Sequence, residues 1–121
     1  MAMLMNFEDE ALIVFYISGV LAKDEFERSL VEAEPYLQRG EAKVLSLISD
    51  FLGVDSNADW SDSSFQQRND ELIEKMAIVC EPQWKEATAI FTLKGLRPFP
   101  IIHFTAENEA AARTWLLTDT P

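Results

Sequence analysis

Apolar runs and amphipathic stretches alternate along this chain. Met3 to Phe7 and Ala11 to Ser18 are apolar segments separated by Glu8-Asp9-Glu10, a spacing that predicts two antiparallel strands joined by a tight turn. The second segment, ALIVFYIS, is rich in β-branched and aromatic residues and has no polar alternation, the mark of a strand buried on both faces. Gly19 is expected to end it. The period then changes: Phe26, Leu30, Ala33 and Leu37 form one stripe of an α-helix that Gly40 stops. Asp24 with Glu27 reads as a capping box at its start, and Pro35 predicts a kink or a weakened last turn.

The alternation continues. VLSLI, within Lys43 to Ile48, predicts the next buried strand, and a strand reached through a helix implies a parallel crossover. The strand empties into a loop rich in Asp, Ser, Gly and Asn, and Trp60 to Glu74 reads as a polar helix anchored by Phe65, Leu72 and Ile73. MAIVC, residues 76–80, predicts a short strand. Pro82 then opens a helix that docks through Trp84 and Phe91, with Ala87 and Thr88 on the same side. LRPFP, from Leu96 to Pro100, is a loop because its prolines fit neither a helix nor a central strand, and it is expected to expose Phe99. Ile101 to Phe104 is the last strand, Thr105 an N-cap candidate, and Ala111, Ala112, Trp115 and Leu116 the inward face of a final helix. The order ββαβαβαβα implies one α/β domain over residues 1–121, a mixed, mainly parallel five-stranded sheet flanked by four helices.

Charge narrows the partners. Twenty-one acidic against 10 basic residues leave a net charge of -11, a field that repels phosphate backbones and anionic headgroups. That argues against nucleic acid and leaves solubility or a basic protein partner as its use. Cys80 is the single cysteine, so no intramolecular disulfide forms. MAMLMNFEDE has neither a basic n-region nor a long apolar h-region, which reads as an uncleaved cytoplasmic start, and no apolar run reaches the roughly 20 residues of a membrane span.

The loop-helix segment DFLGVDSNADWSDSSF (Asp50 to Phe65), the strand MAIVC leading to Trp84, and the close HFTAENEAAARTWL (His103 to Leu116) together resemble the SpoIIAA-like family. That family is similar in fold to the STAS domains of sulfate transporters and anti-sigma factor antagonists, and the resemblance runs from Phe7 to Leu117. It implies a STAS-like fold and a binding or regulatory role. In STAS antagonists a serine after the central strand is phosphorylated by a partner kinase; the local match is Ser56, beside Asp55 in VDSN, which lacks the serine-glycine continuation of that motif. A structural turn or cap role is the default for both residues.

Candidate chemistry is sparse. Cys80 and His103 end or nearly end two strands and would make a thiolate-imidazole pair only within hydrogen-bond reach; a lone strand cysteine is more often a small core residue. One His and one Cys cannot furnish a soft metal site, Asp55, Asp59 and Asp62 lack the spacing of a calcium loop, and Gly19, Gly40, Gly53 and Gly95 are too scattered for a phosphate loop. The reading is therefore a non-catalytic, cofactor-free, metal-free binding domain. Its contact face is expected around Asp50, Phe51, Val54, Asp55, Ser56 and Trp60, bordered by Leu96 and Phe99 from the LRPFP loop. The partner is another protein, a second copy of the chain included. The alternative is a pocket for a small apolar or amphipathic, lipid-like ligand between Trp60 and Phe99.

Overall fold

The structure, a computed structural model, describes residues 3–8, 12–40, 42–55, 70–92 and 97–118, the backbone alone over 89–92. Five strands, β1 (Met3–Glu8), β2 (Leu12–Leu21), β3 (Ala42–Val54), β4 (Ile73–Val79) and β5 (Ile101–Phe104), form one sheet in sequential order. β1 pairs antiparallel with β2, and the other three pairings are parallel. Three α-helices are described: α1 (Lys23–Leu37), α2 (Lys85–Thr92) and α3 (Glu109–Leu117). The fourth expected helix, Trp60 to Glu74, falls mostly on residues that are not described, and its described end is not helical as expected. Its residues 60–69 lie outside the described residues, Asp70–Leu72 make a single 3-10 turn, and Ile73 and Glu74 already belong to β4.

Side-chain alternation splits the core in two. Ile13, Phe15, Ile17, Val44, Ile48, Met76 and Ile78 point to one face, where Phe26, Ala33 and Leu37 of α1 and the half-buried Trp84 and Ala87 meet them. Leu12, Val14, Leu45, Ala77 and Val79 point to the other, covered by Ala112 and Leu116 of α3. This confirms the expectation that the first part of β2 is buried on both faces.

Both strands that flank the expected contact loop run longer than their patterns predict. β2 passes through Gly19, at φ 66°, to Leu21. β3 continues to Val54, so Asp50 to Val54 are strand, not loop. Pairing jumps from Ile17 opposite Ile48 to Gly19 opposite Phe51, then to Val20 opposite Gly53, which inserts two extra residues into β3. Asp50 takes up the first insertion in the left-handed region, at φ 51°, a conformation an aspartate tolerates better than most residues. Apolar periodicity carries no signal for bulges, which is why this ribbon reads as the end of a strand.

Details of α1 and α3 also depart from expectation. α1 starts after an extended Ala22 with no side-chain cap, and Asp24 accepts the neighbouring Glu25 N–H (2.9 Å) in place of a capping box. Pro35 lies inside the last turn, and the helix runs two residues beyond it to Leu37. Ala111 faces solvent, leaving Ala112 and Leu116 as the buried residues of α3.

Candidate contact surface

In a parallel sheet the carboxyl ends of the strands share one pole. Asp55 N–H donates to Leu21 O (2.9 Å) and Cys80 N–H to Phe104 O (3.1 Å), which places the ends of β2, β3, β4 and β5 together there. The described part of LRPFP lies at the opposite pole. Met76 N–H donates to Pro100 O (3.0 Å) near the start of β4, and the Arg97 guanidinium holds Asp70 Oδ1 at 2.7 Å, a pair almost wholly buried. The expected common rim of the two loops does not form, because a strand separates them by about 20 Å at 3.3 Å per residue. Phe99 is not exposed either: it is 8% accessible, packs into the α1-side core and lies under the Arg97 guanidinium, 4.6 Å from the ring centroid. The pocket reading loses one of its two walls. Ser56, Trp60 and Leu96 lie outside the described residues.

The carboxyl pole keeps the other candidates. Phe51 is buried and meets Trp84 edge to face at 5.1 Å, so it anchors the ribbon and contacts no solvent-borne partner. Asp50 is exposed, and Val54 and Asp55 are half-buried. Leu52, a bulge residue between them, is 71% exposed, the most open large apolar side chain described.

Cys80 and His103 do come close, with a third group between them. Thr88, fully buried, places its hydroxyl 2.9 Å from Lys85 O and 2.9 Å from His103 Nε2, whose role as donor or acceptor follows from the imidazole tautomer. The same hydroxyl meets the Cys80 thiol. Burial pushes that thiol up from its ordinary value, the Thr88 bond lowers it, Glu81 adds to the rise and Lys85 opposes it; the net direction is up. A protonated, buried thiol is no nucleophile at neutral pH. The trio pins α2 to the ends of β4 and β5. Among the described residues no three His, Cys, Asp or Glu side chains are placed to hold a metal ion.

Two further residues escape sequence reasoning. Lys75 sits 2% exposed under α3, with Nζ donating to Trp115 O (2.7 Å) and Thr118 O (2.8 Å), 4.8 Å from the Trp115 ring centroid. A cation there satisfies carbonyls that a helix end leaves open and opposes its negative dipole end. Tyr16 is the other. On one face of β2, Leu12 (3%) and Val14 (0%) are buried, whereas Tyr16 (40%) and Val20 (53%) are exposed. α3 lies over β3, β4 and β5, and stops short of Tyr16 and its neighbour Leu4 on β1. Polar-tipped Tyr16 within an otherwise apolar run is the one sequence signal of that change.

The SpoIIAA-like family profile matches residues 12–117. The chain belongs to the SpoIIAA-like family. The fold has a solved counterpart, an uncharacterized protein of the DUF3478 family with a SpoIIAA-like fold from Shewanella loihica PV-4. It is 19% identical with a TM-score of 0.68, over 95% of this chain and 92% of that one. No curated protein matches. The family places the domain among STAS-type regulatory or binding domains, a group that is generally non-catalytic. Among the described residues, no helix is long and apolar enough to cross a membrane.

Proposed function

We propose that this SpoIIAA-like domain performs no chemistry of its own and works as a regulatory module that binds another protein. The observation that carries the reading is the change in exposure along β2, from buried Leu12 and Val14 to open Tyr16 and Val20 on the same face. The sheet continues past its helical cover, and Leu4, Tyr16 and Val20 stand open there on neighbouring strands. The strip leads to the bulged ribbon end, where Leu52, Asp50 and Asp55 add an apolar tip beside carboxylates. Bulges at such positions re-aim side chains toward a partner. Native mass spectrometry of protein purified from its own host tests this. A protein adduct, whether a second copy or another chain, is expected; a bound small amphipathic molecule with no protein adduct would replace this reading by the pocket one.

A further inference from the structure

The open face has the shape of a step, and the step is self-complementary. α3 is the raised part and the exposed stretch of β1 and β2 the recessed shelf. Two strands at ~4.8 Å spacing give a shelf about 10 Å wide, which is the diameter of a helix. Along α3, Ala112 and Leu116 point down into the core, and Ala110, Thr114 and Leu117 form the stripe on the opposite side, all exposed. This stripe carries no charge. Thr114 satisfies its hydroxyl within the helix on Ala110 O (3.0 Å), and Arg113 is engaged by Glu109 and Glu8, each at 3.1 Å. The shelf is equally neutral, offering Leu4, Tyr16 and Val20 with Asn6, Ser18 and Ser49 around them.

Uncharged surfaces matter in a chain of net charge -11, because two such molecules repel wherever carboxylates meet. Here an exposed helix stripe and an exposed strand face lie adjacent on one side of the molecule, and the acid on that strand face, Glu8, is neutralised by its ion pair with Arg113. The strand edge offers a poorer route to self-association, since Glu25 Oε2 already accepts the Met3 N–H (3.1 Å) beside α1.

We infer that the partner of this face is a second copy of the chain, docked about a two-fold axis so that the Ala110–Thr114–Leu117 stripe of each copy lies on the other's Leu4–Tyr16–Val20 shelf. The inference rests on the protein-contact reading above and names its partner. The two helices then fill one layer between two sheets, each bound to its own sheet through Ala112 and Leu116.

Sedimentation velocity from low to high micromolar concentration reads the outcome: a species of twice 13.7 kDa is expected. Tyr16→Arg on the shelf and Thr114→Arg on the stripe each alter an exposed side chain, so circular dichroism should stay unchanged while each weakens self-association at least about tenfold. Mixing single variants Tyr16→Cys and Thr114→Cys under oxidation should yield a disulfide-linked pair containing one of each, well above the yield from either alone. A monomer at every concentration, or a dimer indifferent to both arginines, overturns the inference. If native mass spectrometry finds the monomer bound to a different protein, the second-copy assignment falls and the protein-contact reading stands. A monomer carrying only a small amphipathic molecule removes both.

Discussion

The two faces of the sheet are built from the same strands and finished differently. On the α1 side, fifteen residues of helix, Trp84 and the Phe99 loop close over Ile13, Ile17 and Ile78. On the other side, nine residues of α3 cover Leu45, Ala77 and Val79 and stop, leaving Tyr16 and Val20 open. The apolar content of a strand therefore does not say whether its face is core or contact surface; the length and placement of the covering helix do. The covering helix is also held by different means. α1 relies on apolar packing, whereas α3 adds a buried cation at its carboxyl end.

The largest effect should separate the faces within one strand. Ile13→Ala, which empties a fully buried position on the α1 side, is expected to cost about 2–5 kcal/mol in denaturant unfolding. Lys75→Met tests the latch under α3. It keeps the apolar stem and removes two charge-assisted bonds, so a loss of about 2–4 kcal/mol is expected, with earlier hydrogen exchange in α3 than in α1. Asp50→Gly should act the other way, relieving the left-handed backbone at φ 51° for a gain of up to about 1 kcal/mol. Tyr16→Ala, three residues from Ile13, should change the stability of the dilute monomer by no more than about 0.5 kcal/mol, since its side chain is open. A cost comparable to that of Ile13→Ala would abolish the distinction between the faces.

The smallest effect is the pH dependence of the thiol. Folding raises the Cys80 pKa, so between the unfolded and the folded value the native state keeps a proton that the unfolded chain has lost. The stabilisation this contributes is complete below the ordinary thiol range and is lost as pH rises through the folded value. Cys80→Ala should flatten that alkaline decline in a urea titration, and native-state alkylation of the wild type should stay slow at neutral pH.

Much of the architecture was legible. The order of the five strands and of the three described helices, the antiparallel first pair, the burial of β2 at its start and the assignment to the SpoIIAA-like family all follow from local apolar periodicity and motif order. The candidate site was legible only in part. Asp50 and Asp55 do lie at the carboxyl pole, but Phe51 turned inward because the first bulge shifts the alternation of β3 by one residue, and Phe99 went to the far pole because the direction of β5 puts its preceding loop there.

What the sequence by itself determined is which residues seek burial and in what local shape, since the periods of strand and helix are written in neighbouring positions. Which of those residues obtain it was decided by tertiary structure alone. Leu12 and Tyr16 belong to the same strand face, and only the reach of a helix nearly a hundred residues further on makes one core and the other surface. Burial depends on how far covering elements extend across a sheet, a distance that no local pattern records.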